Sequence, residues 1–155
     1  MQAHFERLTQ SLAQFLGVES QAGEGETRIL FDFKEFPVLV EYQADACQVL
    51  LATSVAELAE KNRAALYLAL LQGQYLFHGT VGATLAVDEE ARFAVLQIVK
   101  DIETLTPENF PVLMENFLRA AEDWREFIEN FGEQATPTPT ATAGISFNPG
   151  SMLRA

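Results

Sequence analysis

The run SVAELAEKNRAALYLALLQG, residues 54–73, decides how the chain has to be built. Ser54 followed three positions later by Glu57 has the form of a capping box, in which two side chains satisfy two orphan backbone donors at a helix start. The spacing predicts a helix that opens there, runs about five turns at roughly 3.6 residues each, and stops at Gly73 in a left-handed terminal position. Its apolar residues Leu58, Ala65, Leu66, Leu68, Ala69, Leu70 and Leu71 point in nearly every direction around that period. A single sheet covers one face of a helix, so the second face calls for another cover, read here as a subunit interface.

On the N-terminal side, Phe5, Leu8, Leu12 and Phe15 recur three or four apart and Gly17 follows, which predicts an amphipathic helix and its stop. Residues 19–26 are rich in Gly and Glu and read as a polar connection. Alternation of Ile29, Phe31 and Phe33, then of Val38, Val40 and Tyr42, predicts two strands with a turn at 34–37, and residues 44–46 turn into a third strand over 47–53. On the C-terminal side, residues 81–87 and 92–99 read as two further strands joined by 88–91. Thr106 and Pro107 supply an N-cap and a favoured first position for a long helix that Gly132 closes. Its seam is Phe110, Met114, Phe117, Ala121, Trp124, Ile128 and Phe131, widened by Leu113, Ala120 and Phe127. The order α-β-β-β-α-β-β-α predicts an α+β sandwich with three helices on a five-stranded, mainly antiparallel sheet.

A length of 155 residues, 48% of them hydrophobic, suits one domain with one core. That domain is expected over 1–132. The Thr/Pro/Ala-rich stretch from 133 to 155 cannot bury enough apolar surface to order itself and reads as a tail, flexible or docking through Ile145, Phe147, Met152 and Leu153. A net charge of -12 repels phosphate backbones, so nucleic acid is not an expected partner, and it favours solubility. The single cysteine, Cys47, gives no internal disulfide, and no stretch is apolar and long enough for a signal peptide or a bilayer span. The cytoplasm is the expected compartment, without membrane insertion.

The titratable residues assemble no catalytic constellation. His4 and His78 lack the i, i+3 or i, i+4 neighbours that ligand motifs use. Cys47 has no histidine beside it to activate a thiolate. The glycines Gly23, Gly25, Gly79 and Gly82 miss both the dinucleotide and the phosphate-loop patterns. Glu89 and Glu90 at a hairpin tip are exposed loop carboxylates, without the burial that would make an acid and base pair. No enzyme activity, catalytic residue, metal or cofactor is expected; a small hydrolase or isomerase would need a buried carboxylate beside a cavity. Apolar surface remains. The first three strands carry Leu30, Leu39, Leu50 and Ala52 on one face and Ile29, Phe31, Phe33, Val38, Val40, Tyr42, Val49 and Leu51 on the other, less polar than a sheet with one wet face should be. Either helices cover both faces, or part of the sheet with the first helix receives a partner's segment by strand addition or as a helix in a groove.

The stretches Gly82-Ala83-Thr84-Leu85-Ala86-Val87-Asp88, Phe93-Ala94-Val95-Leu96-Gln97, Leu113-Met114-Glu115-Asn116-Phe117 and Ala121-Glu122-Asp123-Trp124-Arg125 form a strand, an acidic turn, a strand and a final helix near a tryptophan. In this the chain resembles the class I type III secretion chaperones, the CesT/Tir chaperone family, over about residues 1–131. The resemblance implies a homodimer that holds the N-terminal chaperone-binding segment of a secreted effector in an extended form, soluble, partly unfolded and competent for export. It implies a dimer interface on Leu66, Ala69 and Leu70 with Val81, Ala83 and Leu85. The effector would meet Phe5, Leu8, Leu12, Phe31, Phe33, Val38, Val40 and Tyr42, and the secretion ATPase is a further implied partner. A regulatory or scaffolding adaptor of the same fold, with no secreted client, is the alternative. Residues 134–155 exceed what the family's core needs.

Overall fold

The computed structural model describes residues 1–17, 25–33 and 36–131. The polar connection at 19–26 falls largely outside them, and so do residues 34 and 35 of the expected turn, whose other two, Phe36 and Pro37, already belong to a strand; Gly132 and the tail at 133–155 lie outside entirely. Helix α1 (Gln2–Leu16) is followed by strands β1 (Arg28–Phe33), β2 (Phe36–Gln43) and β3 (Gln48–Glu57), helix α2 (Arg63–Gly73), a 3-10 turn (Tyr75–Phe77), β4 (Thr84–Val87), β5 (Phe93–Asp101), a second 3-10 turn (Ile102–Thr104) and α3 (Asn109–Phe131). The strands form one sheet in the order β1-β2-β3-β5-β4, and every neighbouring pair is antiparallel. This is the expected α+β architecture of three helices and five strands.

The sheet's register explains where the core sits. Ile29 pairs with Val40, Val40 with Leu51 and Leu51 with Ile98, so these four point to one face. Phe31, Val38, Tyr42, Val49, Thr53, Leu85, Ala94 and Leu96 share that face and are buried. Helices α1 and α3 lie over it. Phe5 of α1 stacks on Tyr42 with ring centroids 5.6 Å apart, and the Arg125 guanidinium of α3 sits 4.7 Å from the centre of the Phe36 ring. His4 Nε2 donates to the Leu105 carbonyl at 2.9 Å and ties the start of α1 to the segment entering α3. Helix α1 ends as expected, with Gly17 left-handed at φ 67°. Phe15, by contrast, leaves the seam and is exposed.

The opening stretch folds differently from its pattern. Ser54 and Glu57 belong to β3, not to a helix: Ser54 pairs with Val95 and Glu57 with Phe93, across a bulge between Ser54 and Ala56. Val49, Leu51, Thr53 and Val55 alternate inward, so the ladder to β5 and the burial of Val55 outweigh a local capping box. Leu58 N–H then donates to the Arg92 carbonyl at 2.7 Å and closes the strand. Helix α2 starts only after Asn62, which takes the left-handed conformation that asparagine tolerates, and its 11 residues make about three turns. Strand β4 is shorter than the expected 81–87 because Val81 and Gly82 both have positive φ. Helix α3 opens as read: Thr106 accepts the first helical bond from Phe110 N–H at 3.0 Å, and Thr106 and Asn109 exchange backbone-to-side-chain hydrogen bonds of 2.8 and 3.2 Å.

Gly73 is required for a reason other than a left-handed helix end. A Cβ there would run into the Trp124 indole, and Gly79 also lies against that ring. The indole Nε1 donates to the Gly79 carbonyl at 2.8 Å, so α2, the connection to β4 and α3 meet at one side chain. Gly73→Ala is therefore expected to cost about 1–3 kcal/mol through forced displacement of the indole. Urea unfolding followed by tryptophan fluorescence measures it, and an unchanged midpoint would mean that Trp124 yields without loss.

Candidate protein-binding surfaces

Two apolar surfaces are left without cover among the described residues. The first is the sheet face that carries the alternate residues. Leu30 pairs with Leu39, Leu39 with Ala52 and Leu50 with Val99, which sets them all opposite to the core side. Leu30 is 60% and Val99 44% exposed, while Leu39, Leu50, Ala52 and Val95 are half-buried. The rim is polar: Arg28 and Glu41 form a cross-strand ion pair at 2.9 Å, and Gln48 donates to Asp101 at 3.2 Å. Beside this face lies the free edge of β1. Tyr42 N–H donates to the Thr27 carbonyl at 2.7 Å, so by alternation the backbone groups of Arg28, Leu30 and Asp32 turn away from β2. At the opposite edge, Gln74 Oε1 accepts from Leu85 N–H at 3.0 Å and blocks β4 at that position.

The second surface follows α2 and its connection to β4. Leu66 and Leu70 are 3% and 4% exposed and pack into the chain's own core. Leu68 and Leu71 lie on the other side of the helix and are exposed, and they continue into exposed Tyr75, Leu76, Phe77 and Val81. Leu76, Phe77 and Val81 all have positive φ, 56°, 57° and 53°, a conformation that disfavours side chains with a Cβ.

The site residues read from the sequence divide accordingly. Of the expected dimer residues, Val81 is exposed and Ala69 half-buried, whereas Leu66, Leu70, Ala83 and Leu85 are interior. The helical period, with Trp124 and β4 taking one side of α2, puts Leu66 and Leu70 inward and leaves Leu68 and Leu71 outward. Of the expected effector-binding residues, Phe5, Leu8, Leu12, Phe31, Val38, Val40 and Tyr42 are buried between α1 and the sheet, and Phe33 is half-buried. They fill the core because α1 covers that side. The alternates Leu30, Leu39, Leu50 and Val99 face outward in their place. Of these four, the first three stand out in the sequence only as the second apolar set on the strands.

The chemistry of the remaining groups is sparse. Burial pushes the Tyr42 phenol up, with a smaller push from Cys47, and the Thr106 hydroxyl, then its own backbone, lower the Glu108 carboxyl. Neither stands beside a second group placed for proton transfer. Among the described residues no three of His, Cys, Asp and Glu gather as a metal site, and no helix is long and apolar enough to cross a membrane.

A five-stranded antiparallel sheet covered on one side, with apolar surface on the other and along α2 with its connection to β4, is the build of a protein-binding module. The family profile described as Tir chaperone protein (CesT) matches residues 7–125, and the chain belongs to that family. Solved structures share the fold. A chain of the ExsC–ExsE complex superimposes with a TM-score of 0.70 at 21% identity, covering 83% of this chain and 96% of that one. A chain of the HopA1–SchA chaperone–effector complex gives 0.64 at 14% identity, with 81% and 95% covered. A chain of the heterodimeric ExoU–SpcU complex from the type III secretion system of Pseudomonas aeruginosa gives 0.62 at 15%, with 79% and 98% covered. A search of curated protein sequences returns no match.

Adjacent residues on β1 test which face is the core. Phe31→Ala should cost about 3–5 kcal/mol, as truncation of a packed aromatic does. Leu30→Ala should stay within about 0.5 kcal/mol. Equal losses in denaturant melts would mean that both faces are covered in solution.

Proposed function

We propose that this protein is a type III secretion chaperone, a homodimer that holds the N-terminal segment of a secreted effector soluble, partly unfolded and ready for export. The observation that carries this reading is the apolar sheet face left bare beside the open β1 edge, in a chain of a chaperone family. An extended client pairs its backbone with Arg28, Leu30 and Asp32 at the β1 edge and sets alternate side chains beside Leu30, extending the apolar face. No bond is made or broken; the work is burial of apolar client surface, roughly 25 cal/mol per Å2. The -12 charge keeps the loaded complex soluble and apart from nucleic acid. Cytoplasmic residence and contact with the secretion ATPase complete the proposal.

The α2 surface is the proposed dimer contact. Six apolar side chains more than half exposed, contiguous along Leu68, Leu71, Tyr75, Leu76, Phe77 and Val81, suit a self-complementary patch that a second copy covers. Leu71→Asp combined with Phe77→Asp should yield a folded monomer at concentrations where the parent chain is a dimer. Light scattering with circular dichroism reads it, and an unchanged dimer would move the interface elsewhere. Leu66 and Leu70 are poor reporters, because charge there unfolds the protomer.

The client reading is tested by co-expression with the N-terminal segment of the secreted protein encoded beside it. Capture of that segment, lost on Leu30→Asp with Leu39→Asp in a protein that melts normally, is the expected result. Capture that survives both substitutions, or recovery of a folded regulator alone, would favour the adaptor role.

A further inference from the structure

We propose that the C-terminal segment 145–153 docks on the chain's own bare sheet face and competes there with the client. This rests on the proposed function for the competition only; the docking itself does not require a client. Four observations converge on this occupant.

The first is that the segment stands outside the shared fold. The family match ends at residue 125, and the ExsC–ExsE chain is covered to 96% while this chain is covered to only 83%, so residues 132–155 are an addition to the common module. The second is reach. Residues 132–144, Thr- and Pro-rich, can span up to about 40 Å at the roughly 3.1 Å per residue of an extended Pro-rich chain. A domain of this size has a radius of gyration of only about 14 Å.

The third observation is pattern. Ile145 and Phe147 are two apart, the spacing that places both side chains on one side of an extended strand. Asn148-Pro149-Gly150 has proline and glycine at the central positions of a type II turn, after which Met152 and Leu153 return. Such a segment can lay Ile145 and Phe147 on the apolar face over Leu39 and Leu50, next to where a client strand would sit against Leu30. The fourth is charge. Arg154 is the single charged side chain after residue 133 in a chain of net charge -12, and the sheet's bare face carries Asp32 and Asp101 at its margins. Segment 145–153 carries no charged side chain and is followed by Arg154, so the chain's net negative charge does not repel it. The α2 surface is the one assigned above to a second copy, which leaves the sheet face as the seat for the segment.

Tethering sets the magnitude. An intrinsic affinity of only about 0.1 mM at an effective concentration of about 1 mM keeps the face roughly nine-tenths occupied, and lowers apparent client affinity about tenfold. The exposed lone cysteine provides the probe. Cys47 lies in the β2–β3 turn, within about three residues, or roughly 10 Å, of the Leu50 and Val99 pair. A nitroxide on Cys47 of the full chain should broaden the NMR methyl signals of Ile145, Met152 and Leu153. The broadening should vanish in the full-chain variant Leu39→Asp with Val99→Asp, and should be absent when label and signal sit on different molecules of a mixed sample. Sharp tail signals, or broadening that persists in the face variant, would overturn the docking. Broadening confined to mixed samples would assign the tail to the neighbouring copy and overturn the intrachain assignment. Phe147→Asp should raise the affinity of a captured client segment about tenfold. Failure of that last effect with the broadening intact removes the competition and leaves the docking. Absence of any client leaves the nitroxide result standing while the proposed function falls.

Discussion

A sheet of five strands has two faces, and among the described residues the helices cover one of them. The cross-strand register makes the choice for all strands together: once Val40, Leu51 and Ile98 point inward, Leu39, Leu50 and Val99 must point outward. Phe5, Leu8 and Leu12 on α1 and Phe110, Met114 and Phe117 on α3 then have one surface to fill, and they are buried almost completely. The outward set stays apolar although nothing in the described chain meets it. A shift by one residue in any strand would exchange the two sets, so the binding surface and the core are held by the same pairing. The bulge at Ser54 to Ala56 lets β3 continue inward through Val55 while following the twist of β5.

Much of this architecture is legible in the sequence because it rests on periodicity. The alternation of Ile29, Phe31 and Phe33 and the seam from Phe110 to Phe131 are long enough to declare strand and helix. The capping-box reading of Ser54 and Glu57 fails because it weighs a local signal worth about 1 kcal/mol against a ladder that only a distant segment, β5, completes. The burial of one face and the exposure of the other are not legible for a related reason. Both sets on the strands are apolar, and composition cannot say which one α1 will cover; the aromatic set wins because larger side chains fill the space between helix and sheet. Gly73 was legible as a glycine that matters, yet its reason, the Trp124 ring, lies about fifty residues away in sequence and depends on tertiary approach.

The helix that seemed to need two partners does have two sides, although the division differs in detail. Leu66 and Leu70 meet the chain's own core, and Leu68 and Leu71 meet none of it. Residues 54–58, expected as the helix's first turns, instead bury Val55 from β3 and Leu58 just beyond the strand's end.

The connection between α2 and β4 is where the protomer is least self-sufficient. Leu76, Phe77 and Val81 each hold a left-handed backbone that costs about 1–2 kcal/mol for a residue with a Cβ, and the buried Thr80 hydroxyl has no hydrogen-bond partner. Bonds from Trp124 Nε1 to the Gly79 carbonyl and from Leu85 N–H to Gln74 Oε1 tie the segment to α3 and β4. Those anchors fix the ends while the apolar side chains between them face outward. Strain held in place by the core, carried by residues that gain nothing from solvent, is the arrangement expected of a surface whose favourable contacts come from another molecule. The bare sheet face has the opposite character, with regular backbone, a paired rim and an open edge, and so accepts an extended segment without rearrangement. The two surfaces thus differ in character: strained backbone with protruding apolar side chains after α2, and a regular, open-edged apolar face along the sheet.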